Sequence, residues 1–208
     1  MAALKEVLAL GAARIRRSCR ALMGDSRGVA AVEFALVAPL MFAMYFVTVE
    51  LALGIDSNKR VGRIGSMVAD LVTQQQTMSI SELEAIMRIG ESLIQPYNRT
   101  KPTITITAIE VTTDATPKVQ VVWSRRMANE AFTTPHAKGT ATTLPAAIRT
   151  PGTFVIRVES ELAYKPIITW AASQKDALGL ASAFDGISMH EIYYLRPRMS
   201  SDIPCTSC

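Results

Sequence analysis

The feature that most constrains this chain is an apolar run from Val29 to Ile55 with one carboxylate, Glu33, near its start and another, Glu50, near its outer end, where it can reach a membrane interface. A membrane-spanning helix needs about 20 mainly apolar residues, and this run supplies them. An acid inside such a run costs about 2.5–3.5 kcal/mol on insertion scales, so such a residue usually has a partner or a job. Gly28 precedes the run directly, and a basic segment precedes Gly28.

Charge belongs to that segment. Residues 1–28 hold Lys5, Arg14, Arg16, Arg17, Arg20 and Arg27 against Glu6 and Asp25, which accounts for the whole net charge of +4. The remaining residues balance, and no stretch interleaves aromatic and basic residues as a nucleic-acid surface would. Basic density before Val29 instead predicts a cytoplasmic N-terminus and an exported C-terminal portion. Lys59, Arg60 and Arg63 oppose that orientation but are fewer. A secretory signal peptide has an apolar core of roughly 7–15 residues followed by a small-x-small site. Here the run is longer and ends in Gly54-Ile55-Asp56, so cleavage before it, at Gly28, leaves the anchor on the mature chain.

Helical spacing continues past the anchor at Val61, Ile64, Val68 and Leu71, with Gly62 and Gly65 allowing close approach of a neighbour. After Gln74-Gln75-Gln76-Thr77, the capping box Ser79-Ile80-Ser81-Glu82 opens a second helix, stapled by Met78 and Leu83 and ended by Pro96. Its apolar face is Leu83, Ile86, Met87, Leu93 and Ile94. Alternation then predicts strands at 103–107, with a phase slip at Ala108-Ile109, and at 118–124, joined as a hairpin through Asp114–Pro117. Residues 125–152 read as a long surface excursion with a helical turn, without a specified ligand. Thr153–Leu162 is the strongest strand, with Phe154, Ile156 and Val158 on one face and Arg157 and Glu159 on the other; Ile187–Leu195 closes the domain. Trp170, with Ile167 and Ile168, is read as core packing or as a contact with the headgroup layer.

Catalytic signatures are sparse. There is no phosphate-binding glycine loop, H-E-x-x-H, G-x-S-x-G or calcium-loop spacing. His136 and His190 are scattered, so no metal or cofactor is expected, and no enzyme. Asn98-Arg99-Thr100 is a sequon of the kind that arises by chance. Cys19 lies in the leader, and Cys205 and Cys208 form a terminal C-x-x-C. Zinc would want four ligands, and a redox motif a βαβ context. A local disulfide and free or intermolecular thiols both stay open.

Gly28-Val29-Ala30-Ala31-Val32-Glu33-Phe34-Ala35-Leu36-Val37-Ala38-Pro39-Leu40 resembles the TadE/TadG-like pseudopilins of the bacterial tight-adherence (Tad, type IVc) pilus. Gly-x-x-x-x-Glu at the head of a membrane helix is similar to the processing site of type IV prepilins. Tyr194-Leu195-Arg196-Pro197-Arg198-Met199 resembles family tails, and Tyr164 to Trp170 a Tyr/Pro turn common there. Phe34 departs from the Tyr usual in the major pilins. The resemblance implies an α+β fold: a long N-terminal transmembrane helix extending into a small pilin-like exported domain with an antiparallel sheet. It implies a leader, 1–28, removed between Gly28 and Val29 by a prepilin peptidase, an anchor at 29–55 and an exported domain at 56–208. It further implies that Glu33 pairs with the N-terminal amine of a neighbouring subunit. The implied function is that of a minor pilin in the bacterial inner membrane, acting in pilus assembly or initiation with other Tad pilins and an assembly platform, and open to incorporation into the filament. The rival expectation is an uncleaved single-pass scaffold or binding protein with a periplasmic head. A membrane-anchored enzyme using the 125–152 loop has little support.

Overall fold

The computed structural model describes residues 28–97, 99–166, 187–206 and 208. The leader with Cys19, Asn98 of the sequon, and Trp170 with Ile167 and Ile168 lie outside these residues. The chain forms two compact units, divided between Val49 and Glu50. Helix α1, Val29–Thr73, is the first element among the described residues and contains Pro39. Its residues up to Val49 are exposed or half-exposed, and only 6% of its most apolar 18-residue window is buried. A core helix of a soluble protein would hide that window; a membrane anchor presents it to lipid.

In the second unit, burial on α1 follows one helical stripe: Ser57, Val61, Ile64, Gly65, Val68, Ala69 and Val72. Leu71, placed in the core by spacing, is half-buried, and Val72 takes that role. The 3.6-residue period drifts off a fixed 3/4 alternation, which selects Val72. Helix α2, Ile80–Ser92, has both halves of its capping box: Ser79 accepts from the Glu82 amide, and the Glu82 carboxylate accepts from the Ser79 amide at 2.8 Å. Met78 and Leu83 are both buried in the main core. The helix ends at Ser92, capped by Leu93, rather than running to Pro96. Leu83, Met87 and Gly90 are its buried residues, and Ile86 and Leu93 pack only partly against the core.

Five antiparallel strands follow among the described residues: β1 (Thr103–Val111), β2 (Val119–Ala128), β3 (Ala131–Thr133), β4 (Phe154–Tyr164) and β5 (Ile187–Leu195). The sheet order is β3-β2-β1-β4-β5. Ile104, Ile106 and Ala108 of β1, with Ile156, Val158 and Leu162 of β4, join the helical residues in one core. The register shift falls at Ala108/Ile109; Ala108 pairs with Trp123 and Ile109 with Val121, so the extra residue is Val122 on β2.

The region 125–152 is more ordered than its composition predicts. Arg125–Ala128 extends β2, and Asn129 and Glu130, with φ of 48° and 66°, turn the chain tightly into β3. Both positive angles fit a two-residue hairpin turn that matches sheet twist. Farther on, after a 3-10 turn at Ala146–Ile148, the chain enters β4. Leu144 is buried with Ile109, Val111 and Val155 in a second small core, against which Ile148 and Tyr194 pack. The excursion therefore covers apolar sheet residues. Its Thr-, Ala- and Pro-rich composition hides this, because two apolar side chains suffice.

The C-terminal tail returns to the helices. Arg198 N–H donates to Thr73 O at 2.9 Å, Met78 N–H to Pro204 O at 2.9 Å, and Thr206 N–H to Met78 O at 3.1 Å. Ile203 is fully buried, and its carbonyl accepts the buried Trp123 Nε1–H at 2.8 Å.

Candidate functional site

In the first unit, α1 begins at Val29, directly after Gly28. Gly28 is exposed, and a Cβ built on it would meet nothing within 4 Å. Gly28 and Val29 therefore stand at the entry of α1 among the described residues. Glu33 is four residues after Val29, about one turn and 6 Å along the axis, on the same face. It is exposed, and no hydrogen bond or ion pair reaches it among the described residues. The geometry sets the first helical residue and an acid side by side at the head of an apolar helix.

The second unit treats its own helical acid differently. Glu50 was expected to reach the membrane interface; instead it is 7% exposed and accepts a 2.7 Å hydrogen bond from Tyr164 Oη. Tyr164 is 1% exposed, and its ring stacks on Tyr97 with centroids 5.3 Å apart. Tyr97 Oη in turn accepts the Lys165 amide at 2.8 Å and bonds Thr100 Oγ1 at 3.0 Å. Burial, and then donation to Glu50, push the Tyr164 phenol above its ordinary range, because both disfavour the phenolate. The sequence carried no signal for this junction, because nothing local points from Glu50 to a tyrosine 114 positions away.

Cys205 and Cys208 are joined by a disulfide, with Cα atoms 5.5 Å apart. Cys205 bridges Met78 at the start of α2, so the linked pair closes the tail where it docks. His136 uses its backbone to exchange hydrogen bonds with Ser124, and exposed His190 lies 3.3 Å from Glu161. Among the described residues no three His, Cys, Asp or Glu side chains converge as metal ligands.

Comparison with known families decides what the helix entry resembles. Residues 28–62 match the model of the TadE-like protein family. The TadE-like segment opens at Gly28, includes Glu33, Pro39 and Glu50, and ends at Gly62 within α1. Neither curated proteins nor solved structures gave a match. The TadE-like segment is also the stretch whose apolar helix suits a single-pass membrane anchor ahead of a C-terminal domain.

Proposed function

We propose that this chain is a TadE-like minor pilin, or pseudopilin, of a Tad (type IVc) pilus. The observation that carries the reading is a coincidence at one point: the family match, the helix and the Gly-x-x-x-x-Glu spacing all start at Gly28–Val29. In this reading a prepilin peptidase cuts between Gly28 and Val29 and removes residues 1–28. Residues 29–55 hold the protein in the bacterial inner membrane, with the leader cytoplasmic and the C-terminal domain periplasmic. The new Val29 amine of one subunit pairs with Glu33 of a neighbour, offsetting part of the cost of either charge in hydrocarbon. The protein works with other Tad pilins and the membrane assembly platform, at filament initiation or during assembly, and is the substrate of a peptidase rather than a catalyst.

Mass spectrometry of the mature N-terminus, on protein from native membranes with and without the prepilin peptidase, tests this. A peptidase-dependent start at Val29 is the expected result. A start at Met1 or Ala2 in both strains would overturn processing and leave an uncleaved single-pass scaffold. A start beyond Ile55 would replace the anchor with a removed signal sequence.

A further inference from the structure

The second unit contains a cleft of about 210 Å³ whose wall includes Leu53, Asp56, Arg60, Tyr97, Arg99 and Tyr164. Both arginines are held by backbone. Arg60 donates Nη1–H to Gln95 O at 2.6 Å and Nε–H to Asp56 at 2.7 Å, and Arg99 donates Nη1–H to Lys165 O at 3.0 Å. A guanidinium has five donors, and these bonds leave Nη2 of each without a partner among the described residues. Asp56 is matched to Arg60. Among the described residues no carboxylate pairs with Arg99. The cleft thus presents preset, partly unused cationic donors beside two tyrosine rings and one leucine.

Its place along the chain identifies the ligand chemistry. Leu53 still belongs to the apolar run that ends at Ile55, and Arg60 lies seven helical residues farther, about 10 Å along the axis. A headgroup layer is about 5–8 Å thick on each side of the hydrocarbon. On the membrane-anchor reading, the cleft brackets that layer, with leucine at the acyl boundary and arginine at phosphate height. Tyrosines are favoured at this level. The same placement explains Lys59, Arg60 and Arg63, which oppose the orientation set by the leader.

We propose that this cleft binds the headgroup of an anionic glycerophospholipid, with Arg60 and Arg99 donating to its phosphate and Leu53 against its glycerol and first methylenes. A lipid held here fixes the depth at which the second unit meets the bilayer.

The test uses the full chain in phosphatidylcholine nanodiscs containing a minor fraction of phosphatidylglycerol, with retained lipids counted by native mass spectrometry. Wild-type protein is expected to retain phosphatidylglycerol in preference to phosphatidylcholine. Arg99→Gln and Arg60→Gln should each lower that preference about fivefold, as expected for one cation at a membrane surface. Arg60→Lys should restore part of it, and Lys118→Gln, in the β1–β2 connection, should leave it unchanged. Equal retention of the two lipids, or an equal loss with Lys118→Gln, would overturn the site. Displacement of the lipid by millimolar inorganic phosphate would reassign it to soluble anions and overturn the lipid assignment. Carbonate extraction separates the two levels. An integrated protein without lipid preference refutes the cleft alone, whereas a wild-type protein that extracts refutes the anchor and the cleft together.

Discussion

Tyr164 Oη donates a 2.7 Å hydrogen bond to Glu50, joining the last residue of β4 to the first residue of the second unit. Both side chains are buried, so the contact is formed away from water. Removing the donor leaves a buried carboxylate short of one bond, a loss of about 1–3 kcal/mol. Tyr164→Phe should therefore lower unfolding stability of the full chain by that amount, measured by urea denaturation in detergent with circular dichroism. Its pH dependence has a definite sign. The folded-state pKa is raised above the ordinary phenol value of about 10, so folding favours the protonated phenol. That contribution is complete below about pH 10 and falls as pH rises further. Tyr164→Phe should unfold with a shallower alkaline slope than wild type; an unchanged slope would sink the assignment.

Gly65 and Gly62 make a paired test of helix–sheet packing. A Cβ at Gly65 would lie 2.7 Å from Tyr193 Cδ2 and 2.9 Å from Ser160 Oγ. Ser160 is itself fixed, donating to Val61 O at 2.9 Å. At Gly62 the nearest atom is the Tyr193 hydroxyl, 3.1 Å away, at the end of a side chain that can give. Overpacking costs about 1–3 kcal/mol, while Gly-to-Ala in a helix gains about 1 kcal/mol. Gly65→Ala should destabilise and Gly62→Ala should be neutral or mildly stabilising. Equal melting shifts would contradict the packing described.

The C-terminal tail depends on Ile203 more than on its disulfide. Ile203 is fully buried in the core, so Ile203→Ala should cost about 2–5 kcal/mol. A disulfide closing so short a loop is worth about 2 kcal/mol or less by loop entropy. Cys205→Ser should cost less than Ile203→Ala and act locally, speeding hydrogen exchange at the Met78 and Thr206 amides, which bond across the tail. A larger loss for Cys205→Ser would reverse the order of these two effects.

Glu33 is exposed in the first unit, and its proposed work is intermolecular. Glu33→Ala should leave the protein in the membrane fraction and reduce piliation in cells, scored by electron microscopy beside carbonate extraction. Normal piliation would remove the assembly role.

The sequence by itself determined the local elements. The apolar run, the capping box at Ser79, the β-branched alternation of Thr103–Thr107 and the pattern of Phe154–Val158 each act within a few residues. Their helices and strands therefore follow from chain geometry and burial period alone. The Gly-x-x-x-x-Glu spacing of Gly28 and Glu33 was likewise legible in the sequence, and reading it as a processing site rests on the resemblance to type IV prepilins. Tertiary structure decided what required partners distant in sequence. The strand order β3-β2-β1-β4-β5, the choice of Val72 over Leu71, and the seating of Leu144 depend on which surfaces meet. So does the end of α2 at Ser92, before its proline. Glu50 is the clearest instance. Its place near the outer end of the apolar run pointed to the membrane interface, and only the return of β4 to α1 could supply Tyr164, because local periodicity holds no information across 114 residues.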